Sequence, residues 1–151
     1  MAGKFLMLAA INAVRPKLRS CRFVFAPRCS SAATERLGHE AIGKEAGGVA
    51  GRGEVGVQVT ASLADAVETA QVAIAFTAPA ATLADAAVCA ERGVAMVVGT
   101  TGFSEAELAE FRRVVAPIPC VFAPNFSTAM NVLFKLVEEA AAILGDDYDV
   151  E

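Results

Sequence analysis

The stretch Val72-Ala-Ile-Ala-Phe76-Thr-Ala-Pro79, then Leu83, Ala86, Ala87 and Ala90, then Val94-Ala-Met-Val-Val98, is the part of the sequence on which the fold turns. Two short apolar runs bracket a segment whose apolar residues recur at helical spacing. Runs of this length suit strands buried on both faces of a sheet. Pro79 suits the first turn of a helix, where its missing N–H has no intrahelical partner to lose. Strand, helix and strand at this spacing make a βαβ unit with parallel strands.

The same alternation continues outward in both directions. Ser104 and Glu107 have the spacing of a capping box, and Leu108, Phe111 and Val115 line one face of the helix they open. Pro119-Cys-Val-Phe122 is a short strand. A final helix is expected from about Thr128 to Leu144, with Met130, Leu133, Val137, Ala140 and Leu144 as its apolar seam and Gly145 as its terminating glycine. Asp147 to Glu151 begin one more strand. Upstream, Val55 to Thr60 read as a strand, and Ser62 with Asp65 opens a short helix. The glycines from Gly43 to Gly53 follow no apolar strand and read as loop. The run from Phe5 to Ile11 is a first core strand or helix rather than a signal peptide, since Lys4 alone supplies charge before it. The expected fold is α/β, a Rossmann-like parallel sheet with helices on both faces.

Composition narrows the function. The 151 residues are 55% hydrophobic. No apolar run approaches the ~18 residues that a membrane-spanning helix needs, so no membrane partner is expected. Net charge is −4 and no dense basic stripe exists to neutralise phosphates, which argues against nucleic acid. The four cysteines, Cys21, Cys29, Cys89 and Cys120, form no C-x-x-C pair, and His39 is the single histidine. Free buried thiols in a reducing, cytoplasmic setting are expected, with no metal site. Residues 1 to about 31 differ from the rest, being basic and without any acidic residue.

In an open parallel sheet, ligands bind beyond the carboxyl ends of the strands. Three such ends are Phe76-Thr-Ala-Pro79, Gly99-Thr-Thr-Gly-Phe103 and Ala123-Pro-Asn-Phe-Ser127. Each joins small residues, which let a ligand approach the backbone, to hydroxyl or amide side chains that can bond it. Each also leads into a helix whose first N–H groups favour a polar or anionic ligand. Taken singly, each is also ordinary turn chemistry. No G-x-G-x-x-G cradle precedes them, and no catalytic constellation can be assembled. His39 is expected at the surface. Glu138, Glu139 and Lys135 suit a solvated helix face, and Asp146 and Asp147 a loop.

The segments Val97-Val-Gly-Thr-Thr-Gly-Phe103, Phe122-Ala-Pro-Asn-Phe-Ser127 and Leu144-Gly-Asp-Asp-Tyr-Asp-Val-Glu151 resemble successive landmarks of the dihydrodipicolinate reductase family of lysine and diaminopimelate synthesis. Thr34 to Gly47 is similar to the family segment after its second strand. The resemblance spans about Ala32 to Glu151.

It implies an NADPH- or NADH-dependent 4-hydroxy-tetrahydrodipicolinate reductase acting on a cyclic dicarboxylate, a homotetramer when intact. It implies that Glu35 accepts from the adenosine ribose hydroxyls and that Arg36 meets the adenine or a 2′-phosphate. Phe76 and Thr77 would flank the dinucleotide. Gly99, Thr100 and Thr101, with Ala123, Pro124, Asn125 and Phe126, would line the nicotinamide and its ribose. Residues 1–127 are then a dinucleotide-binding domain with an aberrant segment 1–31. Residues 128–151 are a connecting helix and the start of a truncated substrate and tetramerisation domain.

The sequence departs from the family pattern at several points. The glycine-rich turn of the form G-x-x-G-x-M-G is absent from Leu8 to Arg15, the usual Asp-Phe-Thr reads Ala75-Phe76-Thr77, and a usual glycine is Ala129. The family's paired histidines, lysine and substrate loop would follow Glu151, so no catalytic residue is assigned and the chain itself is expected to be inactive. A reading-frame or start-site error upstream of about Ala32 is the expected source of the unusual opening. Another NAD(P)-dependent dehydrogenase, or a fragment without cofactor affinity, are the alternatives.

Overall fold

The computed structural model describes residues 5–9, 30–51, 53–145 and 148. Its elements are β1 (Phe5–Ala9), β2 (Ser30–Thr34), α1 (Ala46–Val49), β3 (Val59–Thr60), α2 (Leu63–Ala66), β4 (Val72–Phe76), α3 (Pro79–Arg92), β5 (Ala95–Val98), α4 (Glu105–Val115), β6 (Cys120–Phe122) and α5 (Thr128–Leu144). They form one six-stranded sheet in the order β3-β2-β1-β4-β5-β6, with every neighbouring pair parallel. The expected α/β fold is therefore observed. Phe5 to Ala9 is a strand, at the point where the strand order reverses. The opening segment that prompted the frame-error expectation lies, apart from β1 and Ser30–Ser31, outside the described residues, as do Asp146, Asp147 and residues 149–151.

Why β4 is central follows from its residues. Ala73 and Ala75 are fully buried, and small side chains there let α3 lie close to the sheet. Ala86 and Cys89 of α3 and Met96 and Val98 of β5 complete that layer, and Phe111 of α4 is the largest side chain in it. The capping box at Ser104 is complete, with Glu107 returning a bond to the Ser104 amide at 2.8 Å. A smaller cluster, Ala33, Ala41, Val57 and Val59, covers the other end of the sheet.

Four expectations need correction. The strand read as Val55 to Thr60 is only Val59–Thr60, because Gly56 takes a left-handed φ of 76° and the amides of residues 55–57 turn towards the Glu45 carboxylate. The glycine stretch read as loop contains α1, capped by that carboxylate. The buried stripe of α3 is Thr82, Ala86 and Cys89, with Ala87 exposed, because the Thr82 hydroxyl has partners inside. Finally, the apolar seam of α5 has nothing to pack on among the described residues, and none of its 17 residues is buried. The bounds of α5 are as expected, and Gly145 ends it at φ 74°. No helix among the described residues is long and apolar enough to cross a membrane.

Cys89 and Cys120 are both free. Burial first, then the nearby Asp85 carboxylate and Cys120, push the Cys89 thiol up to about 12, so it is inert at neutral pH.

Asp85 on α3 is half-buried, and no cation pairs with it among the described residues. Desolvation raises its carboxyl from 3.8 to about 6. The folded chain thus holds this proton to higher pH than the unfolded chain, and the group's contribution falls as pH rises from about 3.8 to about 6. Asp85→Asn should raise the unfolding free energy at pH 7 by about 1–2 kcal/mol, a figure reduced for partial solvent access. Urea unfolding should show that gain shrinking to nothing near pH 3.5. A gain of equal size at both pH values would exclude the carboxylate as its source.

A crevice at the carboxyl edge of the sheet

Because all six strands are parallel, the segments that follow β2, β4, β5 and β6 emerge along one edge. Glu35 and Arg36 follow β2, with the Glu35 amide donating to Thr60 O at 2.9 Å and the Arg36 amide to Glu35 Oε2 at 3.2 Å. Glu35 is half-buried and Arg36 exposed. They stand one strand beyond β1 from the rest of the crevice.

The remaining ends meet more closely. The Gly99 amide donates to Ala75 O at 2.8 Å, carrying the β4–β5 ladder one residue past the end of β5. That contact lays the Phe76 ring across Gly99, where an added Cβ would come within 2.6 Å of Phe76 Cδ1. Only glycine leaves room for the ring. Phe76 also meets Phe126 edge-on at 6.2 Å between centroids, joining the β4 and β6 ends across the β5 end. Both rings are exposed on their outer sides.

Beneath them lies a chain of hydroxyls. The Thr77 amide donates to Thr100 Oγ1 at 3.0 Å. Thr82 Oγ1 stands 2.8 Å from Thr77 Oγ1 and 2.7 Å from Thr100 Oγ1. Thr82 and Thr100 are buried, whereas Thr77 is half-buried and Thr101 exposed. Asn125 Oδ1 accepts the Ser127 amide at 2.8 Å, and Asn131 Nδ2 donates to Asn125 O at 3.1 Å, so the Ala123-Pro124-Asn125-Phe126 turn is held to the start of α5. The N-terminus of α3 has no side-chain cap.

Of the residues expected at a ligand, Phe76, Thr77, Gly99, Thr100 and Phe126 converge in direct contact. Ala123, Pro124, Asn125 and Thr101 border that group, and Glu35 and Arg36 share its edge at a distance. Two contributors escaped the sequence. Thr82 sits in a helix, where only its polarity at an inward position beside two threonine-bearing turns signals it. Glu45 precedes Ala46-Gly47-Gly48, an acidic N-cap before glycines. Its carboxylate accepts amides from Gly48 at 2.6 Å, Val55 at 2.7 Å and Gly56 at 3.0 Å. His39 is half-buried rather than exposed, because its Nδ1 accepts the Ala41 amide at 3.1 Å. A cavity of about 310 Å³ opens beside His39, Lys44 and Glu45, apart from the strand-end crevice.

The amides of Val55, then of Gly48, hold the Glu45 carboxyl below its ordinary 4.5. A depressed folded value means its support is complete above pH 4.5 and disappears only as pH falls through the lower folded value. Glu45→Ala should speed amide hydrogen exchange at Gly48, Val55 and Gly56 and leave Thr77 protected. Unchanged exchange at those three amides would show that the loop is held by something else.

An open parallel sheet in the order 3-2-1-4-5-6, with its polar turns along the carboxyl edge, defines a doubly wound α/β domain of the Rossmann type. The family model for "Dihydrodipicolinate reductase, N-terminus" matches residues 28–126. The chain belongs to the dihydrodipicolinate reductase family. It is 47% identical over 121 residues to the 4-hydroxy-tetrahydrodipicolinate reductase of Acinetobacter baumannii, covering 80% of this chain and 44% of that protein. It is 49% identical over 119 residues to that of an Anaeromyxobacter species, covering 79% of this chain and 44% of that protein. Over 121 residues it is also 49% identical to that of Desulfotalea psychrophila, covering 80% and 45%. Its fold is similar to that of a dipicolinate-bound dihydrodipicolinate reductase from Paenisporosarcina sp. TG-14, with a TM-score of 0.61 at 20% identity over 94% of this chain and 54% of that one. The chain thus spans less than half the length of the curated relatives it matches.

Proposed function

We propose that residues 1–127 form the dinucleotide-binding part of a 4-hydroxy-tetrahydrodipicolinate reductase, and that residues 128–151 are the connecting helix and the start of its substrate and tetramerisation domain. The whole enzyme would use NADPH or NADH to reduce a cyclic dicarboxylate in the cytoplasm. The observation that carries this is the shared edge, with an acid–base pair at the end of β2 and small hydroxyl-bearing turns at the ends of β4, β5 and β6.

The residues present fit a nicotinamide dinucleotide in kind. Glu35 is a carboxylate that would accept from a ribose diol, and Arg36 beside it is exposed and of the kind that suits a 2′-phosphate. Gly99 lets the Phe76 ring lie close to the β5 end, and Thr100 and Thr101 beyond it would let a flat ring approach the backbone. Phe76 and Phe126 would shield that ring from water. Ala123, Pro124 and Asn125 would close its far side. When bound, the dinucleotide supplies the hydride, and the protein supplies orientation.

Calorimetric titration with NADH and NADPH tests both the binding and the assignment of roles. Glu35→Ala should weaken NADH more than NADPH, since only NADH offers both ribose hydroxyls. Arg36→Ala should weaken NADPH more, by roughly ten- to a hundredfold for a lost charge-assisted contact. Equal effects on both cofactors would remove the two residues from the site. Binding of neither cofactor by the unsubstituted chain would remove the dinucleotide.

A further inference from the structure

The hydrogen bonds of the threonine cluster run in one direction. Thr100 Oγ1 accepts the Thr77 amide at 3.0 Å, and its only other polar partner among the described residues is Thr82 Oγ1 at 2.7 Å. Its own proton must point at Thr82, or it is left buried without an acceptor, which is the costlier state. Thr82 Oγ1 in turn accepts from Thr100 and donates to Thr77 Oγ1 at 2.8 Å. The Thr77 hydroxyl therefore accepts from inside, and its proton is left for the outside. Its internal acceptor is Ala78 O, at a long 3.4 Å. Thr82, fully buried at 0% exposure, reaches no ligand itself.

We propose that Thr82 is a positioning residue that orients the Thr77 hydroxyl as a hydrogen-bond donor towards an oxygen or nitrogen acceptor on a ligand in the crevice. The inference rests on the dinucleotide reading, with the acceptor on the half of the cofactor remote from the 2′-position. Without the Thr82 oxygen, the Thr100 proton loses its acceptor and the Thr77 hydroxyl loses its internal donor. Thr77 then rotates freely and offers the ligand a lone pair as readily as a proton.

The test is dinucleotide affinity in the 151-residue chain, with thermal melting of each variant as a check on folding. Thr82→Val should weaken NADH and NADPH equally, by about tenfold, and Thr82→Ser, which keeps the oxygen, should restore most of that loss. Thr77→Val, at a half-buried position, should cost about the same. The double variant should be no weaker than Thr77→Val alone, because Thr82 acts through Thr77. A merely structural Thr82 would lower the melting temperature and give additive losses. If Thr82→Val does not fold, Thr77→Val and Thr82→Ser still decide. Undiminished affinity in Thr77→Val, or additive losses in the double variant, overturns the proposal while the unsubstituted chain still binds cofactor. If the unsubstituted chain binds neither cofactor, the dinucleotide reading falls first, and this inference with it.

Discussion

Everything in the crevice depends on the parallel pairing of β4 with β5. Their register matches Ala75 to Val98, and the Gly99 amide then bonds Ala75 O, one residue further along. A single shift of that register would turn the Phe76 ring from Gly99 to a neighbour bearing a side chain, since strand faces alternate with a period of two. The threonine chain depends on the same ladder, because Thr77 and Thr100 each lie two residues beyond the last paired positions, Ala75 and Val98. Sheet geometry, not the turns, sets the crevice.

Around that ladder the packing is unevenly distributed. Most buried side chains in the main layer are alanine or valine, which contribute little area each. The largest of the others, Phe111, meets the partly buried Phe103 and Phe122 at one corner, with ring centroids 5.5–5.8 Å apart. Aromatic groups bury the most area per residue, so this corner anchors α4 to β5 and β6 and steadies the turn from Gly99 to Phe103. The crevice rings, Phe76 and Phe126, stay half in solvent. A firm corner thus stands beside an open aromatic pair whose outer faces meet solvent.

The periodic part of the sequence was legible because pattern and packing agree there. The strands Val72–Phe76 and Cys120–Phe122, the helix Thr128–Leu144 and the Ser104 capping box all follow from local rules. The three polar turns were found because strand ends are where a parallel sheet exposes them. What was hidden depends on partners distant in sequence. Val55, Gly56 and Val57 look like a strand until Glu45, ten or more positions earlier, draws in their amides. Thr82 looks like a helix-surface threonine until the sheet sets Thr77 and Thr100 on either side of it. The buried role of a hydroxyl cannot be read from spacing alone.

The loop between β2 and β3 is ordered by one carboxylate through main-chain amides. Its shape thus makes little demand on the exposed side chains at 48, 54 and 58, which are free to drift over evolutionary time so long as position 45 stays acidic, 56 stays glycine and Val55 and Val57 keep their place against the core. A segment beside the β2 end of the sheet can then change its chemical face without refolding. Lineages could retune that surface by single substitutions, with the scaffold untouched.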